Sequence, residues 1–389
     1  MSLSGPSTRG RAGRDPVGRR LWHDGPVIRR VDSRALLTEP TKDEVARFRA
    51  SVQDTPAYAS EGALWLRSCL VVVAVVVALG VGGVVIGTFV SVGFGTSSPV
   101  GPVMAWGSIA FGILFAAALV WGAVAAVRAG ARAWPRWQRL DAFARANGLV
   151  FSPHDAAPTY PGAIFGLGTD RTATDHLRAA EGRFLDYGNY RYTVKGGKSS
   201  TTYRWGFLAL HLDRALPHML LDATSNNGLF GATNLPATFD RSQVLSLEGD
   251  FDRHFTLYCP REYERDALTV FTPDVMALLI DEAAPFDVEI VDQWMFVYAA
   301  TPFDMLDPAV HARLLRIVDT VGAKTLRQTD RYVDERVGAF APNLVAPEGR
   351  RLRRRLPLAV VITVSAIVGI VLLQWIAQAI GGLVAIVGG

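Results

Sequence analysis

Between Ser68 and Val127 the chain carries no Asp, Glu, Lys, Arg or His. A helix rises 1.5 Å per residue, so about 20 apolar residues cross a hydrocarbon core ~30 Å thick. The run is long enough for two crossings. Its middle, residues 93–102, reads Gly-Phe-Gly-Thr-Ser-Ser-Pro-Val-Gly-Pro, a string of turn formers. The sequence therefore predicts a transmembrane hairpin with helices over 66–92 and 103–127. A second charge-free stretch, Leu356 to Gly389, predicts a third span over 358–380, with Trp375 near the far interface. The mean hydropathy of +0.21 fits a chain that is part membrane and part polar domain.

Arginine sets the expected orientation. Arg67 precedes the first span, Arg128, Arg132, Arg136 and Arg139 follow the second, and Arg350, Arg351, Arg353, Arg354 and Arg355 precede the third. The hairpin loop and the C-terminal tail are uncharged, so the N-terminus and the large polar region are expected inside and the C-terminus outside. Residues 1–34 hold eight arginines and no apolar run, unlike a secretory leader. The net charge of +4 is concentrated beside the apolar segments, which suits a bilayer better than a nucleic acid. Cys69 and Cys259 fall in different environments and are not expected to pair, and no zinc spacing is present. No ionisable residue lies inside a span, which argues against a pump acting alone. Gly83 and Gly87 suit close packing, within the hairpin or between two chains.

The polar regions divide by pattern. Residues 1–63 form a basic N-terminal region, partly disordered in expectation, with a short helix over 41–52. Thr41 can cap that helix and Glu44 takes the capping-box position. After the 64–127 hairpin, residues 128–180 read as a juxtamembrane helix and a linker. Trp137, Leu140, Phe143 and Ala144 share a helix face, and Gly148 is the C-cap. Trp134 and Trp137 suit either the headgroup level or packing on the domain. Pro153, Pro158 and Pro161 suggest mostly loop before residue 180. Over 181–322 the period changes to two. Strands are expected around 184–194, 203–209, 218–223, 244–248, 255–259, 267–271, 286–291 and 294–299, with helices started by Thr272-Pro273 and Asp307-Pro308 and the second ended by Gly322. A charged connector, 323–355, returns to the last segment, 356–389. The fold class is thus α+β: three transmembrane helices plus an antiparallel β-rich cytoplasmic domain with two helices.

The segments Leu247–Tyr258 and Ala267–Leu279, a Phe-rich strand followed by a Leu-Thr-x-x-Thr-Pro helix start, resemble a bacterial multi-pass membrane-protein family of unknown function with a β-rich cytoplasmic domain. The resemblance implies architecture, with the third span an addition, and brings no catalytic residues.

Chemistry candidates are few. His211, Asp213, His218 and Asp222 are the best metal or hydrolase set, although four polar residues at strand ends explain them equally well. Asp250, Asp252 and His254 near Cys259 suggest a Cys/His pair or a turn. Ser225–Gly228 is a turn and potential ligand loop. We therefore expect no catalytic, cofactor-binding or metal residues. The expected partners are the bilayer, anionic headgroups at Arg350, Arg351, Arg353, Arg354 and Arg355, and a membrane protein, with no nucleic acid. An interaction or ligand-sensing module of a bacterial inner membrane is the leading reading. A membrane-anchored metal-dependent hydrolase and an accessory subunit of a transporter or secretion complex are the rivals.

Overall fold

The computed structural model describes residues 31–52, 54–58, 80, 114, 117, 121, 133–156, 158–196, 199–227, 233–236, 238–330, 332–337 and 343–355. The spans expected over 66–92, 103–127 and 358–380 lie outside these, except for Gly80, Leu114, Ala117 and Trp121, each helical and exposed. Among the described residues, no helix is long and apolar enough to cross a membrane.

The described part is α+β, built on an antiparallel seven-stranded sheet. Two short helices, α1 (Arg34–Leu37) and α2 (Lys42–Val52), precede a longer one, α3 (133–146). The capping box at α2 forms as its sequence dictates: the Thr41 hydroxyl accepts the Glu44 N–H at 3.3 Å, and the Glu44 carboxylate accepts the Thr41 N–H at 2.7 Å. The predicted α3 face is buried, and Gly148 follows it at φ +67°. Trp134 and Trp137 pack on the domain. With Phe48 and Tyr58 they form edge-to-face pairs 5.2–6.4 Å apart.

The strands are β1 (Leu149–Ala156), β2 (Thr169–Ala179), β3 (Leu185–Gly196), β4 (Ser199–Ala223), β5 (Thr238–Phe239), β6 (Val244–Leu245), β7 (Phe255–Tyr258), β8 (Asp287–Ala299) and β9 (Arg354–Arg355). The large sheet runs β1-β2-β3-β4-β7-β6, with β8 also pairing β4; β5 and β9 pair separately. Between them lie the helices α4 (Phe251–His254), α5 (Glu264–Val270), α6 (Pro273–Leu278), α7 (Pro308–Ile317), α8 (Ala323–Thr329) and α9 (Pro347–Arg350).

Five details depart from the sequence pattern. The segments 286–291 and 294–299, expected as the two strands of a hairpin, are one 13-residue strand, β8, with Asp292 at φ +53° where they meet. Strands β1 and β2 occupy the stretch expected to be loop. Pro153 is tolerated because β1 is an edge strand, paired only with β2, and the ladder skips that residue. The expected strands at 203–209 and 218–223 are one 25-residue strand, β4. Pro217 sits where the register with β8 shifts, so the bulge absorbs its missing N–H without breaking the strand. The expected strand over 267–271 lies largely in helix α5, because Ala267 and Val270 recur at helical spacing and are buried together. Gly322 does not end α7: the chain continues through a wide turn, Val318–Gly322, into α8. A Cβ on Gly322 would lie 2.7 Å from Leu210 Cδ2, so this glycine serves close approach to the sheet rather than termination.

Each face of the sheet has its own core. The first, under the helices, gathers Tyr187, Leu208, Leu210, Phe255 and Leu257 with Phe143, Leu314 and Ile317. The second gathers Tyr190, Phe207, Phe296 and Tyr298 with Phe165, Phe239 and Leu352 from covering segments.

Candidate functional site

The second face holds the domain's most constrained polar chemistry. Glu289, on β8, alternates with the apolar Val288 and Ile290 and therefore points to the face opposite theirs. Its carboxylate is buried and takes three donors: His218 Nε2 at 2.7 Å, the Tyr298 hydroxyl at 2.6 Å and the Ala163 N–H at 2.7 Å. His218 Nδ1 accepts the Leu352 N–H at 3.1 Å. A backbone amide can only donate, so Nδ1 holds the lone pair and the imidazole proton sits on Nε2, facing Glu289. The carboxylate is the anion. Burial alone would push the Glu289 pKa up, but the donors outweigh it and the net shift is downward.

Through Leu352 this node grips the connector that precedes residue 356. Gln243 clamps the next residue from both sides, its Oε1 accepting the Arg353 N–H at 2.9 Å and its Nε2 donating to the Arg353 carbonyl at 3.0 Å. Asp240 N–H reaches the same carbonyl at 3.1 Å, and β9 then pairs with β5. Farther back, Asp334 Oδ2 accepts both the Tyr263 hydroxyl (2.6 Å) and the Ala346 N–H (2.9 Å). Val345 and Ala346 belong to the first core and Leu352 to the second, so the connector contributes to both.

A second node repeats the chemistry. Asp186 accepts from the Tyr160 hydroxyl at 2.5 Å and Arg178 Nε at 3.0 Å, and pairs with His176 Nδ1 at 2.8 Å. Both His–carboxylate–Tyr sets flank the stacked rings of Trp294, Phe296 and Tyr298. Sequence reasoning found His218 but not Glu289, Asp186 or His176. The available signal was Glu289 set between the apolar Val288 and Ile290.

The candidates picked from sequence do not assemble. His211 meets the Trp294 ring edge-on at 5.0 Å, and burial lowers its pKa. Asp213 is paired with Arg183 at 2.9 Å, and Asp222 accepts from Thr233 at 3.0 Å. His254 and Asp250 lie 4.0 Å apart on an exposed turn of helix, and Asp252 accepts the Leu247 N–H at 3.1 Å. Cys259 is buried, and burial, helped by nearby acids, pushes its thiol up to about 12, which suits a core residue rather than a nucleophile. Among the described residues no three His, Cys, Asp or Glu side chains form a metal-binding group. Of the arginines before residue 356, Arg351 pairs with Asp292 at 2.9 Å and Arg350 donates to the Val345 carbonyl at 2.8 Å, while Arg351, Arg353 and Arg354 are all exposed.

The fold and the site together define an α+β domain whose terminal connector is part of its own core. No family model, curated protein or solved structure matches the chain.

Proposed function

We propose that this chain is a membrane-tethered interaction or ligand-sensing module, its α+β domain held at the inner face of a bacterial inner membrane by three spans. The observation that carries the reading is the docked connector. A flexible tether needs no specific contacts, whereas this one spends His218, Gln243 and Asp334 on its backbone immediately before the charge-free run 356–389. The segments flanking the other apolar run, α2 and α3, are likewise packed together on the first core. A push on the membrane segments would therefore be transmitted to the sheet. The exposed helical residues Leu114, Ala117 and Trp121, spaced for one helix face, accord with an apolar surround. Exposed Arg353 and Arg354 are available to anionic headgroups.

Cysteine accessibility in intact cells tests the topology. Ser97→Cys should react with an impermeant thiol reagent added outside. Ser200→Cys, on the exposed part of β4, should react only after permeabilisation. Native Cys259 is buried and cannot report. The reverse labelling pattern would sink the proposed orientation.

A further inference from the structure

Beyond Glu289 the second face carries two more acids that the connector does not use. Asp222 and Asp287 are 4% and 0% exposed. Leu221 pairs with Val288 across the β4–β8 ladder, so the next residues outward, Asp222 and Asp287, stand side by side on one face. Neither acid has a Lys, Arg or His partner among the described residues. Asp287 Oδ1 accepts the Ala223 N–H at 2.8 Å and Asn226 Nδ2 at 3.0 Å. Asp222 Oδ1 accepts the Thr233 hydroxyl at 3.0 Å, and the Asn227 side chain also hydrogen-bonds this carboxyl. Each amide thus serves one acid. What remains is Asp287 Oδ2 and the Oδ1 atoms of Asn226 and Asn227, three buried oxygens without a hydrogen-bond partner among the described residues.

Buried acceptors without donors are costly, and two adjacent carboxylates resist ionising together. A proton, a buried water or a cation can relieve this. One proton on Asp287 Oδ2 turns that oxygen into a donor for one neighbour and leaves another acceptor orphaned. A divalent cation beside the two acids would neutralise both and give the unpartnered oxygens a ligand role. These oxygens, one carboxylate and two amide, with the Asp222 carboxyl beside them, have the chemistry of a site for hard divalent ions. We propose that Asp222, Asp287, Asn226 and Asn227 form a binding site for a hard divalent cation of the Ca2+ or Mg2+ class. The inference stands independently of the membrane reading. The site joins the exit of β4 to the entry of β8, where Ser225 Oγ already donates to the Ala284 carbonyl at 2.9 Å, so the ion braces that corner of the sheet. Burial, with the charge of Asp222 adding to it, pushes Asp287 up to about 7.

The test uses the full-length protein in detergent, stripped with EDTA and titrated with Ca2+, Mg2+ or Tb3+ alone. The Tyr258 phenol feels the charge of Asp222 and is placed to sensitise Tb3+ emission. We expect saturable, equimolar Tb3+ luminescence. We also expect a Tm rise of about 5–10 °C at a hundredfold excess of Ca2+ or Mg2+ over Kd. Asp287→Asn and Asp222→Asn keep the side-chain shape and should each abolish both signals, whereas Asp213→Asn, in its separate pair with Arg183, should keep them. Two results overturn the site: no saturable Tb3+ signal or Tm shift in the wild type, or signals that survive Asp287→Asn. A wild type that ignores cations while Asp287→Asn raises the Tm of the stripped protein would establish a proton-sharing acid pair in its place.

Discussion

The two faces of this sheet are closed in opposite ways. The first is covered mainly by helices, which satisfy their own backbone groups, and its buried polar side chains, among them His311 and Asp334, are few beside its apolar ones. The second is covered by segments without helices, running through Ala163, Leu235 and Leu352. Such segments arrive with N–H groups that nothing in their own conformation satisfies. The sheet meets them with buried side chains: Glu289 accepts from Ala163, and His218 accepts from Leu352. The difference teaches why buried acids concentrate on the second face. Glu289 follows from what covers that face and need not mark catalysis. It also makes that face the directional one, where a single lost partner strands several others.

The comparison can be broken by mutation. Glu289→Leu leaves His218 Nε2–H, the Tyr298 hydroxyl and the Ala163 N–H without an acceptor. It should cost about 3–5 kcal/mol in chemical denaturation and release the connector to protease. A first-face truncation, Leu210→Ala, should cost about 2–5 kcal/mol through the cavity it leaves, yet keep the connector docked. If both variants expose the connector equally, the faces are not separable. His218→Phe is milder, about 1–3 kcal/mol, and its signature is faster hydrogen exchange at the Leu352 amide.

The pH dependence sharpens the same contrast. Glu289 and Asp186 have folded-state pKa values below their unfolded values, each against a burial effect that alone would raise it. Their stabilisation is therefore complete above about pH 4.3 and is lost as pH falls through the lowered folded values. Glu289→Gln should shallow that acid limb in urea melts across pH, while Leu210→Ala should leave its slope unchanged. The smallest effect belongs to Arg351→Ala. Its ion pair with Asp292 is about half exposed on both sides, so the expected loss is at most about 1 kcal/mol, and it should shrink further in high salt.

Much of this was legible along the chain. The Thr41/Glu44 box, the buried face of α3 with Gly148 behind it, and the Asp307-Pro308 start of α7 are all local chemistry, and the structure repeats each of them. What misled the reading was also local. Pro153 and Pro217 look like breakers until an edge strand and a bulge accommodate them, and Gly322 looks like a stop until Leu210 is seen against it. The candidate site was half visible: His218 stood out, but its partner Glu289 lies far along the chain.

By itself, the sequence determined the features that depend on neighbours in the chain: charge-free runs, caps, strand alternation and the α+β class. Only the tertiary structure decided which acid meets which histidine, that Asp222 stands beside Asp287, and that residues 345–352 belong to both cores. The physical reason is range. Capping and periodicity act over a few residues, whereas this buried carboxylate is satisfied by donors from two distant segments and from farther along its own strand, and their convergence exists only once the sheet has closed.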